Sequence, residues 1–405
     1  MATLAGSKSA SVAVIAVCQV AAMALWFSAS AVVPALVAEF GLSGFAQAAL
    51  TSGVQAGFVI GCLASAFLGL PDRFDPRRLF AASALVGAAA NALLLVVDPR
   101  SVAAPLLRVV TGACMAGVYP VGMKLASTWA KGDMGLMVGI LVGALTLGSA
   151  APHLFNALGG IQWRIPLVVS SLGALAAAAL IGFTGIGPNL RPAPRFDPTA
   201  ALSAWRDVPL RLANLGYLGH MWELYAMWAW IGLFLLESAR VADTAGYATM
   251  SPSTTTFVVI ATGALGCWLG GAVSDRWGRT TATMAAMGLS ALSAATIGLT
   301  FGGPPLLTLT VAIVWGITVI ADSAQFSTAI TELSPAPYVG TALTMQTCVG
   351  FALTNVSIWL LLPVVGAIGW RWAFATLAIG PALGVVAMAR LRAAPEALQL
   401  AGGRR

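Results

Sequence analysis

Apolar residues in this chain run for a bilayer's width at a time, broken by short polar or charged turns. Runs of spanning length occupy positions 11–37, 45–70, 79–96, 102–127, 135–159 and 164–184, and again 212–236, 250–273, 281–301, 305–331, 338–365 and 371–392. Each predicts an α-helix, because in hydrocarbon a spanning segment must satisfy its own backbone groups. Between 188 and 211 the pattern lapses into a polar stretch rich in Pro and Arg, which predicts a linker. The expected architecture is an all-α integral membrane chain of twelve transmembrane helices in two pseudo-symmetric six-helix halves. Residues 1–187 form the first bundle, 188–211 a cytoplasmic linker, and 212–405 the second bundle with a short cytoplasmic tail.

The two halves share a short charged motif. GGAVSDRWGR at 270–279 has a weaker copy, GLPDRFDPRR, at 69–78, and aligning Asp72-Arg73 with Asp275-Arg276 gives an offset of 203 in a chain of 405. A long-period repeat in an apolar chain is an architecture of secondary transporters. Composition supports the membrane reading: 59% of residues are hydrophobic, 9% are charged and the mean hydropathy is +0.89. A soluble domain could not cover itself with so few polar side chains. The net charge of +7 does not indicate nucleic acid, because its basic residues sit in short turns between spans.

Those basic residues set the orientation. With twelve spans, Lys8, Arg73, Arg77, Arg78, Lys131, Arg191, Arg195, Arg206, Arg211, Arg276, Arg279, Arg390, Arg392, Arg404 and Arg405 fall on the side of the termini, which makes 15. Arg100, Arg164, Arg240 and Arg371 fall on the other, which makes 4. The excess places both termini and both Asp-Arg loops in the cytoplasm, with the chain in the plasma membrane. No cleavable signal is expected, since the first run leads directly into further spans. Cys18, Cys62, Cys114, Cys267 and Cys348 lie within apolar runs without metal-ligand spacing, so they are expected to pack, and neither metal nor cofactor is indicated.

The spacing of Gly271, Asp275, Arg276, Gly278 and Arg279 resembles the loop signature of the major facilitator superfamily. That resemblance implies a secondary transporter working by alternating access. It also implies that these residues, with Asp72 and Arg73 in the weaker copy, act as a conformational latch for the outward-open state. The first copy departs from the pattern: Leu68 replaces the first Gly, Asp75 replaces the turn Gly, and Pro76 follows it. Asp72 is therefore expected to matter less than Asp275.

Candidate solute contacts come from polar groups inside spans. Arg108 opens RVVTGACMAGVYPVGMK, where Gly112, Ala116 and Pro120 keep its four-residue spacing, and the stretch resembles the superfamily's fourth-helix pattern. An arginine within a span faces a cavity or a partner, so solute binding is expected; the alternative is a snorkelling side chain at the outer interface. Lys124, sixteen residues on, reads as a snorkelling residue at the other end. His153 and Asn156, one turn apart in the fifth span, are further candidates, although a lone membrane histidine is often hydrogen-bonded within its bundle. Trp26, Tyr225 and Trp228 either stack on solute or pack.

Proton coupling is expected from Glu223 with His220, three residues apart near the middle of the seventh span, where burial and a nearby cation act in opposite senses on the carboxylate's proton. Ala24 stands at the matching position of the first half. Asp322 in the tenth span is a second carboxylate, expected to pair with Lys124 or with a cation in a cavity.

A primary pump would need a GxxxxGK[ST] loop, which is absent, and an enzyme would need clustered catalytic groups, which two histidines in opposite halves do not supply. The expected function is a monomeric secondary transporter of a small solute, coupled to protons and leaning to an organic anion because of Arg108. Drug or metabolite efflux by antiport, or a non-transporting receptor on the same scaffold, are the alternatives. Close kinship with the superfamily's nitrate carriers is not expected, because the position matching Arg108 in the second half is Ala312.

Overall fold

The computed structural model describes residues 7–131, 134–159, 162–190, 196–197, 205–242 and 251–404. Half of the expected linker, with Arg191 and Arg195, lies outside the described residues, as do Gly160 and Arg405. The described residues are helical throughout, with turns and no strand. The chain divides into two compact units, Met1–Arg195 and Phe196–Arg405.

In the first unit the helices are α1 (Lys8–Phe27), α2 (Val33–Phe40), α3 (Gly44–Leu68), α4 (Pro76–Leu93), α5 (Ala103–Met115), α6 (Tyr119–Ser127), α7 (Met134–Gly159) and α8 (Arg164–Leu180). In the second they are α9 (Val208–Val241), α10 (Pro252–Ala261), α11 (Gly263–Trp277), α12 (Arg279–Ile297), α13 (Pro305–Ala321), α14 (Ser323–Leu333), α15 (Val339–Ile368) and α16 (Ile379–Ala393). Eleven described segments are long and apolar enough to cross a membrane. The remaining run is α4, an 18-residue helix whose first turn holds Arg77 and Arg78. Counting α4, each unit holds six spans. Side chains such as Leu306 (73% exposed), Trp268 (65%) and Leu383 (65%) stand on the outer faces, where only lipid suits them.

The first and fourth spans are not continuous helices. Pro34 has no N–H to offer the Ser30 carbonyl, which instead takes the Val33 N–H in a short 3-10 turn between α1 and α2. Pro120 likewise cannot serve Ala116, and the fourth span is interrupted between Met115 and Tyr119. The four-residue face expected from Arg108 to Pro120 therefore holds only for its α5 part. In the second unit the tenth span is interrupted at Asp322 (φ −90°, ψ −14°), which ends α13 and begins α14.

The seventh span is longer than its apolar run. α9 has 34 residues, about 51 Å at 1.5 Å per residue, and begins at Val208 inside the stretch expected to be linker. Asp207 caps it by accepting the Leu210 N–H at 3.0 Å, and Pro209 occupies its first turn.

Both units carry the same backbone crossing. In the first, a Cβ added to Gly57 would lie 1.9 Å from the Val109 carbonyl, and one on Gly112 would lie 2.0 Å from that of Val54. In the second, Gly266 and Gly270 stand in the same relation to Ile317 and Ala321 at 2.0 and 1.8 Å, and Gly316 to Val259 at 2.0 Å. α3 thus crosses α5, and α10–α11 crosses α13, at a separation only glycine permits.

Candidate functional site

Arg108 lies at the centre of the first unit, fully buried. Its guanidinium donates to the carbonyls of Leu25 (3.0 Å), Trp26 and Leu50 (3.4 Å), to Ser28 Oγ (3.2 Å) and to Asn91 Oδ1 (3.1 Å). The Leu25 and Trp26 carbonyls belong to the last turn of α1, where the chain breaks and helix carbonyls lose their partners, and a cation is favoured at that end. Asn91 extends the network, accepting from Ser28 Oγ at 2.6 Å and donating to the Leu167 carbonyl and Ser171 Oγ. Neither the snorkelling position nor a solute-facing one describes this arrangement. In the structure Arg108 is a tie that binds the broken first span to α3, α4 and, through Asn91, α8.

Trp26, Tyr225 and Trp228 are buried too, at 1%, 3% and 0% exposure. Trp26 packs on Phe58 with ring centroids 5.0 Å apart, and Tyr225 packs on Phe351 (4.8 Å) and Trp228 (5.6 Å). His153 follows Pro152 inside α7, and its Nε2 has no hydrogen-bond partner among the described residues. Asn156 is half-buried on the same helix. Gln19, not singled out in the sequence, is fully buried with neither amide atom hydrogen-bonded among the described residues, and its Oε1 sits in the space left by Gly122.

The second unit holds the titratable cluster. Glu223, sixteenth of the 34 residues of α9, is 1% exposed. Ser290 Oγ of α12 donates to its Oε2 at 2.8 Å and Trp315 Nε1 of α13 to its Oε1 at 2.7 Å. His220 turns elsewhere: its Nδ1 lies 2.9 Å from Asp322 Oδ1, both side chains are almost fully buried, and the ring packs near Tyr217 and Phe326. Of the partners weighed for Asp322, Lys124 is not the one it meets. The carboxylate nearest the His220 imidazole is Asp322. Asp322 pairs with His220 and not with Lys124, whose Nζ donates to Asp72 Oδ1 and to the Pro71 carbonyl (2.8 Å). Ser290 and Trp315 carried no sequence signal beyond being polar-tipped residues within apolar runs.

The charged loops close differently in the two units. In the first, Gly69 (φ +60°) ends α3, and Asp75 supplies the cap that a turn glycine would not, accepting the Arg77 N–H at 2.9 Å ahead of Pro76. The Arg77 side chain hydrogen-bonds Asp75 as well and holds its carboxyl below the usual range. Asp72 is paired with Lys124 at the end of α6, and Arg73 is exposed. In the second, Gly278 (φ +92°) ends α11, and Asp275 and Arg276 are exposed. The engaged cation is Arg279, which makes a two-pronged pair with Glu332 of α14 (2.6 and 2.7 Å) and reaches Gln325 Oε1 at 2.9 Å and Ser274 Oγ. Glu332 and Gln325, on one face of α14, were not anticipated as partners of this loop.

The two aspartates therefore differ in what they contribute to stability. Asp72→Asn is expected to lower the thermal midpoint of detergent-purified protein, by an amount fitting a half-exposed ion pair of about 0.5–1 kcal/mol. Asp275→Asn is expected to leave it unchanged. A larger drop for Asp275→Asn would contradict the pairing.

Comparisons with known proteins agree with the helical architecture. No curated protein matches the chain. Among solved structures, the nucleoside transporter NupG matches with a TM-score of 0.72 at 14% identity, over 94% of this chain and 99% of that one. A bacterial homologue of the human lysosomal transporter Spinster, inward-facing and unoccupied, matches with a TM-score of 0.69 at 14% identity, over 99% of each chain. At that identity the likeness shows the fold alone. The profile of the Major Facilitator Superfamily matches residues 15–357 of the 405, and the chain belongs to that family of membrane transporters.

Proposed function

We propose that this chain is a proton-coupled secondary transporter of a small polar solute, and that Glu223, His220 and Asp322 form its protonation site. The observation that carries the reading is that all three are at most 2% exposed in one unit, and no lysine or arginine is seen to pair with either carboxylate among the described residues. A carboxylate held by two neutral donors, next to an imidazole–carboxylate pair, can exist with or without its proton, as coupling requires. We read both termini and both Asp-Arg loops as cytoplasmic from the distribution of basic residues, the 188–211 stretch as the linker between six-helix halves, and the working form as a monomer in the plasma membrane.

The solute is proposed to carry no net negative charge. The lean to an anion depended on a guanidinium free to meet it, and that of Arg108 is taken up by five neutral acceptors of its own unit. Apart from Asp322 Oδ1 and His220 Nε2 of the protonation site, the buried polar atoms that make no hydrogen bond among the described residues belong to neutral groups, including Gln19, His153 Nε2, Asn214 Oδ1 and Gln346. Such groups suit a hydroxyl- and amide-bearing solute. The likeness to a nucleoside transporter makes nucleosides the first solutes to try.

The test uses purified protein in proteoliposomes with an imposed proton gradient and a panel of labelled nucleosides and monocarboxylates. Wild type is expected to accumulate a neutral solute uphill. Glu223→Gln is expected to lose uphill accumulation by tenfold or more and to keep counterflow exchange. Uphill accumulation by Glu223→Gln at the wild-type level would sink the coupling assignment, and uptake confined to monocarboxylates would sink the solute assignment.

A further inference from the structure

The last described segment, Pro395–Arg404, does not trail away from the second unit. It folds back in 3-10 turns, burying Ala397 and Leu400 completely. At Ala401 the backbone enters the left-handed region (φ +48°) and stays there through Gly402 (+65°) and Gly403 (+92°). Ala401 is the single described non-glycine residue with positive φ, a conformation that a side-chain-bearing residue adopts only when its surroundings impose it. The turn aims the Ala401 N–H at Glu332 Oε2, 3.1 Å away, and Arg404 then donates to the Asp275 carbonyl.

Glu332 is the carboxylate that Arg279 grips with both prongs. Its Oε2 therefore accepts from two directions, from α12 through Arg279 and from the folded-back segment through Ala401. α14, which carries Glu332, is joined to α13 at the Asp322 interruption, a junction outside the regular helix ladder and so the natural point of bending. One end of this 11-residue helix adjoins Asp322, with the His220 contact, and the other is held by Arg279 and Ala401.

We propose that Pro395–Arg404 is an intramolecular strap that locks α14 against the α11–α12 turn, so that α14 swings about the Asp322 junction only when the strap releases Glu332. Leu400 and Ala397 pin the strap, the Ala401 N–H holds the helix, and Arg404 fastens the far end to the α11 terminus. The strap thereby sets how readily the segment bearing Asp322 moves. This follows from the geometry alone and does not depend on which solute or ion is carried.

Amide hydrogen exchange in detergent tests it without any ligand. A chain ending at Ala394 is expected to exchange the amides of α14 (Ser323–Leu333) at least fivefold faster than the full chain, with α13 (Pro305–Ala321) unchanged. Ala401→Pro, which removes the N–H and cannot take a positive φ, is expected to do the same. Leu398→Ala, at an exposed position of the same segment, is expected to change nothing. Unchanged α14 exchange in both the shortened chain and Ala401→Pro would overturn the strap. So would acceleration shared equally by α13, which would mean general loosening of the unit. If the shortened chain is not recovered as monodisperse protein, Ala401→Pro carries the same expectation and the same overturning outcomes.

Discussion

Arg108→Met is expected to yield little or no monodisperse protein, while Arg108→Lys is recovered with a clearly lowered thermal midpoint. Methionine fills much of the same volume but removes all five hydrogen bonds of the guanidinium, leaving the single Ser28 hydroxyl to serve both the Leu25 carbonyl and Asn91 Oδ1. Each buried acceptor left unmade costs about 1–3 kcal/mol, and two of these are the terminal carbonyls of α1, so the loss falls where the first span is already broken. Lysine keeps the charge opposite the helix end but brings its three donors to one point, so it cannot serve carbonyls from α1 and α3 together with Asn91. Size-exclusion profiles and thermal midpoints of the two variants check this. A wild-type midpoint in Arg108→Met, accompanied by lost solute binding, would return Arg108 to the solute site.

Gly270→Ala is expected to destabilise the second unit by about 2 kcal/mol or more, whereas Gly271→Ala, one residue on, is neutral or gains about 0.5–1 kcal/mol. The two glycines share a helix and differ only in what their missing side chains face. A Cβ on Gly270 would stand 1.8 Å from the Ala321 carbonyl, so the backbones of α11 and α13 would have to part. A Cβ on Gly271 meets nothing within 4 Å, and alanine there simply removes the glycine's entropic disadvantage in a helix. The displaced carbonyl directly precedes Asp322, so Gly270→Ala is also expected to disturb the His220 contact. Thermal midpoints decide it: equal shifts for the two substitutions would contradict the close crossing.

These outcomes show where the sequence was informative. Span positions followed from apolar runs, and the turn at Gly278 from a glycine beside charges, because bilayer thickness and backbone sterics act on local sequence. The partners within each unit did not follow. His220 and Glu223 are three residues apart, which on a helix is about 60° around the axis; that is enough for the imidazole to reach Asp322 while the carboxylate reaches Ser290 and Trp315. Helix rotation and crossing angle made that choice, and neither is written in the spacing. The surroundings of Arg108 were hidden for a related reason. A charge in an apolar run signals a buried partner, but the partner proved to be the backbone of a broken helix, and Pro34 was the only local sign of that break.

The two charged loops repay a last comparison. In the first unit the loop contributes the anion, Asp72, and the end of the fourth span contributes the cation, Lys124; in the second the loop contributes the cation, Arg279, and the end of the tenth span contributes the anion, Glu332. The paired residues are 52 and 53 positions apart, but at the offset of 203 that aligns the two loops Arg279 lies four residues beyond the match to Asp72, so the fastening is shifted by about one helical turn as its polarity is exchanged. Each half thus fastens its charged loop to the end of the corresponding span through a contact of its own position and sign. A partly exposed pair contributes too little energy to be retained for stability alone. What each pair supplies is a fixed meeting point between its own loop and a helix end.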